Sequence, residues 1–334
     1  MRLADRLSQC RMPFMVQSAS NGEVTRLNGA AETAPLIATC PIRYVLSDEL
    51  TRLCTALAYS KGTRRLACAD LLRMPATQVW VEWCEAPWQT ELTRYGIQPG
   101  DSRSTGTGRR GALIRAARDG RSGIVRTFWT VGDREADLLA SSMEAYFDLD
   151  ADDYAGPAAP NDEDRAVFRV SDAESGDADI LRQHFRFRFE RSWHDYYKRG
   201  SLSSTTEQLV ARHALGTIAP DIPMLLAFFL LLSTRTGLPR RPSSLERLNK
   251  SRVRDGKRPL LEHIEVTSPL PRESFSPASD LGPAWRRAPR LHHVRGHLMR
   301  RGSELYWRVP HLRGHARFGS VQSRTVTWTI DRPA

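Results

Sequence analysis

Thr77 to Trp83 reads TQVWVEW, and its alternation decides how the first half of the chain is built. Val79, Val81 and Trp83 fall on one side of a period of two, with Gln78, Trp80 and Glu82 on the other, so the segment is a strand and not a helix. Upstream, Ser47 to Tyr59 (SDELTRLCTALAY) carries the opposite signature. Leu50, Leu53, Cys54 and Leu57 recur at i, i+3, i+4 and i+7, Ser47 is placed to cap, and Asp48 and Glu49 favour the positive end of a helix. A second short helix is expected over Arg64 to Leu72. Downstream, Ala112 to Ala117 and Gly123 to Val131 flank Arg118 to Ser122, where Asp119-Gly120 is a hairpin turn. The expected class is therefore α+β, with mixed helices and short antiparallel sheets.

Composition divides the rest. Residues 1–38 show no sustained period and read as a loosely ordered extension, followed by an α+β domain over 39–147. Asp133 to Phe147 suits an amphipathic helix. Asp148 to Asp164 (DLDADDYAGPAAPNDED) is an acidic linker rich in Pro and Gly, and the expected domain boundary. Residues 165–334 then hold Arg165 to Val170, an alternating run at Phe185 to Phe189 that is a strand or a helix edge with its period favouring strand, helices at Thr205 to Gly216 and Ile222 to Thr234, and a basic, β-rich C-terminal module with strands near 290–299, 304–312 and 321–330. Ile222 to Leu232 (IPMLLAFFLLL) is an apolar run of 11 residues. A membrane helix needs about 20, so the run is read as a core helix and no membrane partner is expected.

Forty-five of the 49 basic residues are arginine, which suits phosphate and carboxylate better than lysine does, although a codon-biased genome gives the same ratio. Position says more than number. Arg240 to Ala334 holds twenty basic residues against eight acidic, a net of +12, while Val131 to Ile180 holds three against fifteen, a net of −12. A clustered basic region is the footprint of a nucleic-acid or anionic-surface binder, and docking of the acidic stretch onto it within the same chain is the internal alternative. The five cysteines, Cys10, Cys40, Cys54, Cys68 and Cys84, form no CxxC and are odd in number, as expected of reduced thiols in a cytoplasmic protein.

The tail contains a short repeat, His293 to His297 (HVRGH) and His311 to His315 (HLRGH). On extended strands each copy sets His, Arg and His on one face, namely His293, Arg295 and His297, then His311, Arg313 and His315. Side by side the two would make a platform open to phosphate binding, to metal-independent phosphodiester cleavage by paired imidazoles, or to zinc. Zinc ranks last because an arginine on the same face opposes a cation, and solvated edge strands are the plain alternative. Leu248 to Leu260 (LNKSRVRDGKRPL) reads as a basic loop able to track a phosphate backbone through Lys250, Arg252, Arg254 and Lys257, or as a solvated linker. Gly106 to Gly111 (GTGRRG) matches GxGxxG by letter, but a strand follows where a dinucleotide fold needs a helix, so it reads as a hairpin loop. Glu82 and Glu85 among Trp80, Trp83 and Trp88 read as a core strand with one exposed face. His194-Asp195 beside Tyr196, Tyr197 and Lys198 is suggestive but unspecific. No motif requires a cofactor.

Taken together, Leu72 to Trp83 (LRMPATQVWVEW), Leu248 to Leu260, and Val294 to His297 with Trp307 and His311 to Gly314 resemble a group of uncharacterised phage and prophage proteins. The resemblance implies a bacterial-cytoplasmic, phage-related setting. The group has no established activity, so it carries over no catalytic residue, and by analogy it favours a role with DNA or RNA. The expectation is thus a protein that binds nucleic acid through its Arg- and His-rich C-terminal module, with a phosphodiesterase or a protein-binding adaptor as alternatives.

Overall fold

TQVWVEW forms the interior of a mixed sheet, as β4 (Gln78–Cys84). The computed structural model describes residues 1–11, 14–17, 24–27, 29–59, 69–97, 108–133, 137–157, 166–170, 179–199, 204–268, 290–294, 296–309, 311–313 and 315–320. They fall into two units, Met1–Ser268 and Pro269–Ala334.

In the first unit β1 (Phe14–Gln17) and β2 (Val24–Leu27) form a hairpin. The main sheet is built from β3 (Ile42–Leu46), β4, β5 (Arg109–Ala116), β6 (Ser122–Thr130), β7 (Leu138–Ala140), β8 (Met143–Asp148), β9 (Phe185–Phe189), β10 (Arg240–Pro242) and β11 (Ile264–Val266). Its order is β10-β11-β3-β4-β5-β6-β8-β9, with β7 also on β6; β3 is parallel to β4 and to β11, and the other pairs are antiparallel. The helices are α1 (Leu3–Gln9), α2 (Gly29–Ala38), α3 (Asp48–Tyr59), α4 (Glu85–Arg94), α5 (Asp179–His184), α6 (Arg191–Arg199), α7 (Ser204–Ile218), α8 (Asp221–Leu232) and α9 (Glu246–Arg254). In the second unit β12 (Arg290–Val294) lies between β15 (His311–Arg313) and β16 (His315–Ser320), and β13 (His297–Arg301) pairs with β14 (Glu304–Arg308). The chain is α+β, as its sequence indicates.

Both faces of β4 are covered, which overturns the expectation of one exposed face. On one side Trp80, Leu113 and Phe128 pack with Leu3, Leu7 and Cys10 of the chain start and with Ile37 and Cys40. Residues 1–38 are therefore not a loose extension where they are described. Helix α1 is two turns long, too short to show a period, and tertiary contacts hold it. Its anchor is Glu82, fully buried, whose two carboxylate oxygens accept the backbone N–H groups of Leu3 and Ala4 at 3.0 Å each. Trp80 Nε1 donates to the same carboxylate at 3.3 Å, and Arg109 forms an ion pair with it. A negative group at a helix N-terminus satisfies free N–H donors and complements the helix dipole.

The other face is covered by α8, whose residues from Asp221 to Leu231 are all buried. Gln208–Leu232 has the length and apolarity of a membrane span, and 89% of that window is buried inside the protein. Arg110 crosses from β5 to α8, donating to both carboxylate oxygens of Asp221 at 3.1 and 2.9 Å, to the Thr217 carbonyl at 2.9 Å and to Glu85 at 3.3 Å. Trp88 and Trp129 hold its guanidinium at 4.5 and 5.1 Å from their ring centroids. One buried cation thus serves two buried carboxylates, and burial pushes Asp221 up to about 6 despite the Arg110 pairing that opposes it.

Other expectations give way to the sheet. Asp133 to Phe147 is not a helix where it is described: it supplies β7 and β8, and because every residue from Met143 to Phe147 is buried, no alternation shows in β8. Asp148 to Asp164 does not separate domains, since β8 and β9 on either side of it pair in one sheet; the boundary between units falls at Ser268 and Pro269. Of the expected helix over Arg64 to Leu72, residues 64–68 lie outside the described residues, and Ala69–Leu71 form a helical turn. The glycines of the GTGRRG segment answer to packing: a Cβ at Gly111 would overlap the Trp80 ring, and one at Gly108 would lie 2.5 Å from the Glu85 carboxylate. Gly111 sits inside β5, so this part of the segment is strand and not loop.

Two outcomes follow. Glu82→Leu leaves Arg109 and the start of α1 without their acceptor, and urea unfolding should show a loss of about 3 kcal/mol. Asp221 holds a proton in the folded chain up to about pH 6, while the unfolded chain releases it near 3.8. Its contribution to stability therefore rises as pH falls from about 6 towards 4. The urea midpoint of the wild type, relative to Asp221→Asn, should be higher at pH 5 than at pH 7.

Candidate nucleic-acid interface

The β10 edge of the sheet concentrates exposed arginine. After α8 the chain reverses through Gly237, at φ +63°, and returns as β10, a three-residue edge strand with Arg240 and Arg241 exposed and Pro242 blunting further pairing. Helix α9 follows. Glu246 opens it and Arg252 and Arg254 close it, the charge order that the helix dipole favours. It stops at Gly256, φ +69°, in a Schellman turn: the Gly256 N–H donates to the Val253 carbonyl at 3.0 Å and the Lys257 N–H to that of Arg252 at 2.8 Å.

Leu248 to Leu260 is therefore not a loop but most of a helix with a clamped turn. Asn249 fixes the turn by donating to the Leu260 carbonyl at 3.0 Å and accepting the Leu260 N–H at 2.8 Å. Arg252 is half-buried and donates to the Arg258 carbonyl at 2.9 Å, so part of its donor set holds the turn and not a ligand. Helix α9 has no buried residue. Arg247, Lys250 and Arg254 are exposed at i, i+3 and i+7, which puts them on one face spanning about 10 Å. Lys250 meets Glu246 at 2.8 Å, but both are so exposed that water and salt weaken the pair. Lys257 and Arg258 continue the exposed basic surface past the turn. From Arg240 to Arg258 eight basic residues stand against Glu246 and Asp255.

In the second unit the described strands of the repeat are β12 up to Val294 and β15 up to Arg313, with β13 from His297 and β16 from His315. Arg295 and Gly314, between them, lie outside the described residues, and the expected face of His, Arg and His runs through them. The halves do pair, β12 with β15, in a register that sets His293 opposite Leu312 and Val294 opposite His311, so the first histidines of the copies are not cross-strand partners. His297 is exposed, opposite Arg308 on β14. Arg295 and the stretch 321–330 lie outside the described residues. Among the described residues no group of three or more His, Cys, Asp or Glu side chains is placed to hold a metal. His194, 3.5 Å from Asp195, lies on α6 in an aromatic cluster in which Trp193 and Tyr197 pack at 5.5 Å.

A site that sequence reasoning missed lies in the first unit. The N-terminal turns of α1, β5, the β10–β11 edge and the foot of α9 enclose a cleft of about 610 Å³. Three arginines line it, Arg2, Arg109 and Arg241. Burial works against the charge of Arg109, but Glu82, Cys84 and Asp48 together outweigh it and raise the guanidinium's pKa above its ordinary value. Arg2 pairs with Glu265 at 3.0 Å. Asp5 accepts the Leu261 N–H at 2.7 Å, and burial, with Glu82 nearby, raises its carboxyl despite that bond. His263 is held by the ladder, its N–H donating to Ser243 Oγ at 2.9 Å. Its side chain is 5% exposed, and Nε2 stands 3.8 Å from Glu265 with no hydrogen-bond partner. Arg2, Arg109, Arg241 and His263 are scattered over 262 residues, and no local pattern connects them.

No protein-family model matches this chain, and no curated protein or solved structure does either.

Proposed function

We propose that the chain binds DNA or RNA through the phosphate backbone, with the exposed face of α9 as the principal contact. The observation that carries this reading is a helix with no buried residue whose outer face sets Arg247, Lys250 and Arg254 in one row. A helix normally repays its ordering by burying an apolar stripe. Helix α9 buries none and is capped, clamped and charged instead, a shape that suits a rigid cationic ridge. Arg240, Arg241, Lys257 and Arg258 extend it at both ends. The basic strands of the second unit, with His293, Arg295, His297, His311, Arg313 and His315, add charge of the same sign and serve as a second contact. Backbone contacts of this kind position a nucleic acid without reading its sequence.

Fluorescence polarisation of the whole chain with short single- and double-stranded DNA and RNA, at several salt concentrations, tests the reading. Log affinity should fall linearly with log salt, by roughly 0.9 per phosphate neutralised on duplex DNA. Replacing Arg247, Lys250 and Arg254 together by alanine should lower that slope by about 2 to 3 while leaving the fold intact, since all three are exposed. Affinity indifferent to salt, or a slope unchanged in the triple variant, rules out α9 as the interface.

A further inference from the structure

The cleft at the foot of α9 has a different character from the ridge. It is concave, its volume of about 610 Å³ lies within the range of small-ligand sites, and its lining includes the apolar Pro242, Leu245 and Leu260. Three arginines from separate parts of the chain, Arg2, Arg109 and Arg241, line it as well. Arg109 is fixed by its ion pair to Glu82 and is about one-quarter exposed, so its position does not depend on a ligand. Arg241 is exposed and has no ion-pair partner among the described residues. Asp5 and Glu265 offset part of the charge and, through the Leu261 N–H and Arg2, fix the geometry of the walls.

The second observation is His263. The residue is part of the cleft lining, its imidazole is buried, its Nδ1 lies 3.2 Å from the Leu261 carbonyl, and its Nε2 is itself buried, 3.8 Å from Glu265 and without a hydrogen bond. With Nδ1–H donating to that carbonyl, Nε2 is a lone-pair acceptor in the neutral ring and a second donor in the charged one. A buried polar atom with no partner costs free energy unless something in the site completes it. A phosphate monoester meets every demand. Its oxygens take the guanidinium forks, it carries a proton for neutral His263 or accepts one from the charged ring, and an attached nucleoside packs on the apolar lining residues.

We infer that this cleft binds a phosphate monoester of nucleotide size, held by Arg2, Arg109 and Arg241 with His263 Nε2 completing its hydrogen bonds. The inference does not rest on backbone binding by α9. The monoester is either a free nucleotide or the terminal phosphate of an oligonucleotide; both present the same group.

Isothermal titration of the full chain, tagged at its C-terminus, with adenosine monophosphate and with adenosine reads the first source. Comparing 5′-phosphorylated with 5′-hydroxyl oligonucleotides of one sequence reads the second. The phosphate should tighten binding at least tenfold in one of the two comparisons. Arg241→Ala, at an exposed position, and His263→Leu should each remove most of that gain, while the Arg247, Lys250, Arg254 triple variant keeps it. That last arm separates the two sites, because a failed ridge with an intact cleft leaves the phosphate gain untouched. No phosphate gain in either comparison overturns the inference, as does a gain that survives both Arg241→Ala and His263→Leu in variants whose circular dichroism matches the wild type.

Discussion

A carboxylate buried in the middle of a sheet must find donors, and Glu82 is the one on which much of this molecule turns. It stands on the face of β4 opposite α8, where no water reaches it. The N-terminus of α1 supplies two backbone donors, Trp80 an indole N–H and Arg109 a guanidinium. Satisfying that one group draws the first ten residues across the sheet, closes the core around Trp80, Leu113 and Phe128, and aims Arg2 and Asp5 at the β10–β11 edge. The cleft wall is thus a consequence of solving a burial problem. Removing Glu82 leaves so short a helix to its core packing and to the Arg2 and Asp5 contacts alone.

The second face solves a related problem in another way. Arg110 is walled by Trp88 and Trp129 and serves Asp221, Glu85 and a carbonyl of α7 at once. Buried ion pairs of this sort contribute less to net stability than to uniqueness of arrangement, since apolar replacement of the whole set is often tolerated while loss of one member is not. Here the arrangement specified is the seating of α8 on the sheet. The two networks lie on opposite faces of adjacent residues, Arg109 and Arg110, so β5 passes one guanidinium to each side.

Charge is partitioned in the same economical way. Among the described residues of the acidic stretch from Val131 to Ile180, Asp153 meets Arg186 at 2.8 Å and Arg169 at 2.9 Å, and Asp150 meets Arg121 at 2.6 Å. Its ion pairs lie with its own sheet neighbourhood, and none of these reaches the basic residues from Arg240 to Arg258. That block, with its helix exposed and its turn clamped by Asn249, keeps its field directed outward.

Periodicity and terminal chemistry alone determined the elements whose signals are local: β4 from its alternation, α3 from its stripe and Ser47 cap, the β5–β6 hairpin from Asp119-Gly120, and α7 and α8 from their apolar runs. The basic character of the last third was equally plain, because charge is additive along a chain. What only the tertiary structure decided depends on contacts between distant residues. The acidic run folded as strands because Ala145 and Phe147 had partners in Phe187 and Phe185 that composition does not reveal. The unpatterned start became core because Glu82 needed its N–H groups. The cleft was invisible for the same reason: Arg2, Arg109, Arg241 and His263 meet through the sheet, and no spacing in a linear sequence encodes that meeting.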